Sequence, residues 1–390
     1  MFKFVYNIPT KVYFGENQLS NLGKEIKKLG KKVLLCYGGG SIKRTGLYDE
    51  VITELKKEDL EVFELNGIEP NPRVTSVNAG ADICKREEIE VLLAVGGGSV
   101  IDCTKAIAAA TFYDGDAWDI VTKKVPVTKC LPIVTILTLS ATGSEMDAGG
   151  VISNMETNDK IGVASPLMQP KVSFLDPKNT YTVSSYQTAC GSVDILSHII
   201  ETYFNTEGSM YMLDCFMEGL MKTVIKYAPI AVKEPENEEA RANLMWTSSW
   251  AINGFVRSCQ HCSWSCHSME HQLSAYYDIT HGLGLGILTP RWMRYILDES
   301  NVERFRNFAV SVFNVDSKLD SMSAALEGIK RFEEFLFVQL GLTSNLSELG
   351  IDRTHFDIMA EKACGNGVLK GFKELKKDDI KNIYEMCLEK

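Results

Sequence analysis

Five of the six histidines in this chain fall between positions 198 and 281, with carboxylates among them. Asp194 and His198 are four residues apart, and so are His267 and His271. On a helix, each such pair points to one side. His281 follows ten residues after His271, in T-H-G-L-G. Imidazoles and a carboxylate brought together from neighbouring helices can hold a divalent ion and leave a coordination position open. An open position suits chemistry on a carbonyl or alkoxide oxygen. Any one of these histidines alone reads best as an ordinary core or surface residue, but the cluster together reads as a metal centre.

Cys259, Cys262 and Cys266 form C-x-x-C-x-x-x-C beside His261 and His267. The order is the reverse of the radical-enzyme pattern, and a fourth cysteine is not nearby. We read these as small residues lining a helix next to the histidines. The 11 cysteines are odd in number and scattered, which fits free thiols better than a disulfide framework.

A second kind of chemistry is suggested by glycines. Gly96-Gly97-Gly98-Ser99-Val100-Ile101-Asp102 follows a strand-like run and opens a helix-like one. Glycines there let backbone N–H groups approach a ligand, and a helix N-terminus favours negative charge. A pyrophosphate fits such a place, although the pattern is not G-x-G-x-x-G. Gly38-Gly39-Gly40-Ser41 repeats the device after the first such strand. The segment T-L-S-A-T-G-S-E, which contains Thr138 and Ser144, adds hydroxyls at a third strand end. Taken alone, each is a tight turn or a helix cap. Together they predict a nucleotide crevice.

The elements that must position these groups divide the chain in two. Apolar runs at 31–37, 62–65, 91–95 and 131–137 read as strands, with a last extended piece at 175–177. Between them, 19–29, 48–58, 74–87 and 100–110 carry helical periodicity. Strands alternating with helices imply a parallel sheet covered on both faces. After residue 180 the β-branched runs fade, and 194–203, 210–227, 236–253 and 320–339 read as helices. The expected organisation is an α/β nucleotide-binding domain over 1–179 and an all-helical metal-binding domain over 180–390.

Composition narrows the partners. Of 390 residues, 45% are hydrophobic and 24% charged, as in an ordinary globular enzyme. The net charge of -10, with both signs interspersed, argues against nucleic acid or an anionic membrane as partner. No apolar stretch of about 18 residues predicts a membrane span. The first ten residues lack a basic segment followed by an apolar run. A cytoplasmic location is expected.

With these motifs in place, the chain resembles the iron-containing, or group III, alcohol dehydrogenases. Gly96 to Asp102 looks like that family's G-G-G-S-x-x-D loop, and the stretch ending in Glu145 looks like its T-G-S-E segment. W-x-x-H-x-x-E-H-x-L-S-A, beginning at Trp264, with His281-Gly282 after it, resembles the butanol dehydrogenase and NADPH-dependent aldehyde reductase branch. Leu139-Ser140 and Met146-Asp147 depart from the family pattern on the nicotinamide side. The resemblance implies the dehydroquinate synthase-like fold, with an active site between an α/β and a helical domain. It implies that Asp194, His198, His267 and His281 ligate one Fe2+ or Zn2+ ion, that Lys160 lies on the cofactor side, and that the protein is a homodimer. The cofactor residues expected are Gly38, Gly39, Ser41, Gly97, Gly98, Ser99, Asp102, Thr138, Ser144 and Lys160. His271, one helical turn from His267, is the candidate proton relay.

The implied reaction exchanges a hydride between a primary alcohol or its aldehyde and a nicotinamide cofactor. The turn after the first strand carries no acid and offers Ser41, Lys43 and Arg44. It therefore predicts NADP(H), whose 2′-phosphate would meet donors and positive charge. A dehydroquinate synthase-like enzyme or a polyol dehydrogenase on the same scaffold is the alternative. A polyanionic substrate would call for several bases near the metal, where the sequence offers Arg257, Trp264, Tyr276 and Tyr277. A non-catalytic metal- or nucleotide-binding protein is the third reading, and the intact ligands and phosphate loop speak against it.

Overall fold

The computed structural model describes residues 3–205, 210–258, 264–365 and 367–389. Cys259, His261 and Cys262 lie outside the described residues. Two compact units are present, the first formed by Asn7–Val183 with Pro235–Ser249. The second is formed by Ser184–Glu234 and Trp250–Lys390, with the N-terminal stretch up to Tyr6.

In chain order the first unit contains β1 (Lys11–Phe14), α1 (Leu22–Lys27), β2 (Lys32–Tyr37), α2 (Ser41–Arg44), α3 (Leu47–Lys56), β3 (Glu61–Leu65) and α4 (Val74–Glu87). It continues through β4 (Val91–Gly96), α5 (Gly98–Ala110), α6 (Ala117–Val121), β5 (Ile133–Leu137), β6 (Gly149–Asn154), β7 (Asp159–Ala164) and β8 (Val172–Leu175). Six strands form a parallel sheet in the order β1-β8-β5-β4-β2-β3. β4 is buried throughout, as a central parallel strand must be. Alternate residues of β2 face opposite cores: Leu34 and Cys36 pack with α4 and α5, while Val33, Leu35 and Tyr37 pack with α1 and α3. β6 and β7 pair separately as an antiparallel hairpin. The sequence reading did not anticipate this hairpin, because Asn154, Asp159 and Lys160 break the apolar alternation.

The rest of the chain is helical: α7 (Ser185–Tyr203), α8 (Tyr211–Lys233), α9 (Glu238–Ile252), α10 (Ser265–Tyr277), α11 (His281–Ile296), α12 (Val302–Phe313), α13 (Ser321–Glu334), α14 (Phe356–Cys364) and α15 (Lys377–Met386). α7 begins nine residues earlier than its histidine pattern suggested, with Ser184 as its N-cap, accepting a hydrogen bond from the Gln187 N–H at 3.2 Å. Most of α9 belongs to the first unit, not to the helical one that a boundary at residue 180 implies. Met245 is part of the core beneath α5, and the Trp246 ring meets Phe14 edge-on at 5.6 Å. Among the described residues, no helix is long and apolar enough to cross a membrane.

Candidate metal centre and nucleotide crevice

α7 carries Asp194, His198 and Glu201 at spacings of four and three, so all three share one face. α10 supplies His267, and α11 opens on His281. α11 can approach α7 closely because Gly282 has no side chain. A Cβ there would strike the backbone carbonyl of Cys190, one turn before Asp194.

The Nε2 atoms of His198, His267 and His281 lie 3.7, 3.7 and 3.6 Å from one and the same oxygen, Asp194 Oδ1. These separations are too long for hydrogen bonds. Donors bound about 2.1 Å from a shared ion at tetrahedral angles sit about 3.4 Å apart. Asp194 Oδ1 and His267 Nε2 are both buried without a hydrogen-bond partner. Such orphaned atoms are rare unless something else satisfies them. Burial alone would raise the Asp194 carboxyl, yet the surrounding imidazoles hold it well below the usual range. Burial pushes His198 down to about 3, which leaves its lone pair available. The donor set therefore fits a divalent ion of the Fe2+ or Zn2+ type.

Two carboxylates that sequence reasoning missed orient the imidazoles. Glu201 accepts a hydrogen bond from His267 Nδ1, and Glu270 accepts one from His281 Nδ1. A carboxylate only accepts, so each Nδ1 carries a proton and each Nε2 is the nitrogen turned toward Asp194 Oδ1, where an ion would bind. Glu201 also accepts from the backbone N–H of Cys266 at 2.5 Å and of His267 at 3.3 Å. It thereby caps α10, whose own N-cap residue, Trp264, provides no side-chain bond. Burial would lower His267, but Glu201 and Asp194 raise it to about 9, so at neutral pH an ion would bind its Nε2 by displacing a proton. Glu270 is held in turn by the Ser274 hydroxyl, and the bare backbone of Gly284 makes room for it. The signal for Glu201 was its place seven residues after Asp194. We expect Glu201→Gln to weaken metal binding by about 10- to 100-fold, the usual loss for a ligand-orienting partner. Competition against a chelator of known affinity measures this, and an unchanged affinity would remove Glu201 from the site.

Around the ligands, His198 stacks on His267 at 4.8 Å, and the Trp264 ring meets both edge-on. The Arg257 guanidinium lies 5.3 Å from the Trp264 ring centroid and donates to the Ile252 carbonyl at 3.2 Å. Tyr276 and Tyr277, expected beside the metal, pack on His355 instead. His271 is partly exposed, its ring 5.6 Å from that of His281 and 6.2 Å from that of His267.

In the first unit, β2 connects to β3 on one side of the sheet order and β4 connects to β5 on the other. α3 and α5 accordingly cover opposite faces. The strand order reverses between β2 and β4, and a crevice opens at such a point beyond the carboxyl ends of the strands. Gly38 to Ser41 follow β2, Gly97 to Ser99 follow β4, and Thr138 follows β5, its N–H donating to the Gly96 carbonyl at 3.0 Å. A Cβ on Gly38 would lie 3.1 Å from the Ile68 carbonyl oxygen, and one on Gly98 would overlap Thr142. Gly39, by contrast, has open space. No side chain caps α5, whose N-cap is Gly97.

Besides Gly98, three of the expected cofactor residues are buried. Asp102 accepts from Ser144 Oγ at 2.5 Å and from the Val151 N–H at 2.9 Å, so both carboxylate oxygens are engaged within the protein. Lys160 lies in β7 opposite Ser153. The third is Ser144, which also accepts from Lys105, a fully buried residue that sequence reasoning passed over.

A parallel sheet with a nucleotide-type switch point and a helical unit carrying one carboxylate and three imidazoles suit a metal-dependent enzyme with a nucleotide cofactor. The comparisons with known proteins give its family. Residues 9–177 match the iron-containing alcohol dehydrogenase family, and residues 188–388 match the C-terminal domain of the Fe-containing alcohol dehydrogenase family. The chain is 49% identical to NADH-dependent butanol dehydrogenase A of Clostridium acetobutylicum, across 99% of each chain. It is 35% identical to the NADPH-dependent aldehyde reductase YqhD of Escherichia coli, again across 99% of each. The crystal structure of NADH-dependent butanol dehydrogenase A from Thermotoga maritima superimposes with a TM-score of 0.95 at 38% identity, covering 100% of this chain and 99% of that one. The chain belongs to the iron-containing alcohol dehydrogenase family and interconverts alcohols and aldehydes with a nicotinamide cofactor and a divalent metal.

Proposed function

We propose that the protein reduces small, weakly polar aldehydes to primary alcohols, and runs the reverse oxidation, with butanal and butanol as the representative pair. The observation that carries this reading is the single Asp194 oxygen faced by three Nε2 atoms at 3.6 to 3.7 Å. When bound, the ion polarises the substrate oxygen and the nicotinamide supplies or accepts the hydride. Asp194, His198, His267 and His281 would hold the ion, as Fe2+ or Zn2+. Glu201 and Glu270 keep the imidazole tautomers fixed. Gly97, Gly98 and Ser99 would present α5's uncapped N-terminus to the pyrophosphate, beside Gly38, Gly39, Ser41 and Thr138. Asp102 and Ser144 would act by holding α5 in place, since their polar atoms bond to each other, and Lys160 supports the hairpin beside them. Trp264 gives the metal an apolar neighbour, and Arg257 beside that ring is a single base where a polyanion would call for several. That combination favours a small aldehyde over a dehydroquinate synthase-like substrate.

His271 would pass the proton between substrate oxygen and solvent, a role supported by its partial exposure beside His281. The purified protein is expected to oxidise reduced nicotinamide only when butanal and the metal are both present. His271→Ala should retain the metal and lose turnover by about a hundredfold or more, with an altered pH profile. Metal-independent turnover would overturn the metal assignment, and an unaltered rate and profile would leave His271 as packing.

On the cofactor, the sequence expectation was NADP(H), and the exposed Arg44 supports it. Two findings support NADH instead. The Lys43 ammonium lies 3.7 Å from the Glu64 carboxylate, so its charge is already matched. Relatives 46–49% identical are named NADH-dependent. We favour NADH, and the ratio of kcat/KM for the two cofactors decides between them.

A further inference from the structure

The turn after β2 carries no acid in sequence, yet an acid stands beside it in space. Glu64, on β3, lies in register opposite Leu35 of β2, and the two segments run on together as the Ile68 N–H donates to the Tyr37 carbonyl at 3.3 Å. The Glu64 carboxylate accepts from the Tyr37 hydroxyl at 2.6 Å and from the Tyr48 hydroxyl at 2.5 Å. The same carboxylate pairs with Lys43, whose ammonium sits 5.1 Å from the Tyr37 ring centroid and 4.5 Å from that of Tyr48. The hydrogen bond to Glu64 pushes the Tyr48 hydroxyl up to about 12, so it remains a donor across the neutral range. Two phenols and one carboxylate thus fix the position of Lys43 and cancel its charge.

We infer that Glu64 sets the choice between NADH and NADPH by neutralising Lys43 at the turn that receives the adenosine ribose. The inference rests on the proposed placement of the cofactor along Gly38 to Ser41. At Lys43 a 2′-phosphate would meet an ion pair rather than a free cation, which leaves Arg44 as the exposed positive charge of the turn, and the Glu64 carboxylate would repel it. A 2′-hydroxyl carries no charge and is indifferent to the pair.

The test uses the metal-loaded protein and fluorescence titration with NADH and NADPH. Glu64→Gln keeps an acceptor for one phenol and removes the negative charge. The ratio of affinities should move toward NADPH by about tenfold, the scale expected of one charge at a partly screened surface distance. Glu64→Asp should restore the original ratio. In Glu64→Gln with Lys43→Met, the gain should vanish, because no cation remains to be released. Gly39→Asp, at a position with room for a side chain, reports the placement independently by moving the ratio toward NADH. A shift in Gly39→Asp with a ratio within twofold of wild type in Glu64→Gln would overturn the role of Glu64. No shift in Gly39→Asp would refute the cofactor placement itself, and the inference would fall with it.

Discussion

His267→Ala is expected to strip the divalent ion from the protein and reduce aldehyde turnover by about a thousandfold, because several kcal/mol of charge stabilisation leave with it. His267 is the most constrained of the three imidazoles. Its Nδ1 is tied to Glu201, its Nε2 has no hydrogen-bond partner, and its ring is stacked on His198. Alanine keeps the helix, since it has the highest helix propensity and Glu201 still caps the Cys266 N–H. The loss should therefore be chemical rather than structural. Elemental analysis and turnover, measured on the same sample with circular dichroism as a control for folding, test this. Wild-type activity in metal-free protein, or a His267→Ala variant with full metal content, would refute the ligand assignment.

The candidate metal cluster was legible in sequence where its geometry is local. Asp194 and His198 share a helix face by spacing alone, and the strands ending at Tyr37, Gly96 and Leu137 announce themselves as β-branched or apolar runs ended by glycine or threonine. The hidden parts depend on contacts between distant segments. Glu201 meets His267 across 66 residues, and a glutamate on a helix gives no sign of whether it faces solvent or an imidazole. Glu64 was invisible for the same reason: the turn it neutralises belongs to another strand, and only the β2–β3 register brings them together. Tyr276 and Tyr277 belong to the same helix as His267 and were expected near the metal, but they lie at its far end beside His355. α9 reads as one more helix after a run of helices. Its membership of the first unit follows from where Met245 and Trp246 find apolar partners, which periodicity does not encode.

Lys105→Met should cost the first unit about 3 kcal/mol of stability, the order expected when buried acceptors lose a charged donor. Lys105 lies on α5, six residues after Ser99, and is fully buried. Its ammonium donates to Ser144 Oγ at 2.8 Å and to the Gly149 carbonyl at 2.6 Å. The Ser144 hydroxyl in turn donates a hydrogen bond to Asp102, so one chain of hydrogen bonds joins α5, the T-G-S-E segment and the first residue of β6. Burial lowers Lys105 from its ordinary value, while Asp147, Asp102 and Glu145 oppose that. Burial likewise raises Asp102, with Lys105 opposing. Methionine matches the length of the stem and fills the space, so the loss isolates the polar head. The Gly149 carbonyl would be left without its lysine donor, and Asp102 without its nearest counter-charge. If Gly97 to Ser99, at the start of the same helix, hold the cofactor as proposed, its affinity should fall together with stability, while metal content, assigned above to α7, α10 and α11, should not change. Denaturant unfolding followed by a probe in the first unit, with metal analysis alongside, measures both. A cost below about 1 kcal/mol, the net worth of a single neutral hydrogen bond, would show that the Lys105 ammonium contributes no more than ordinary packing.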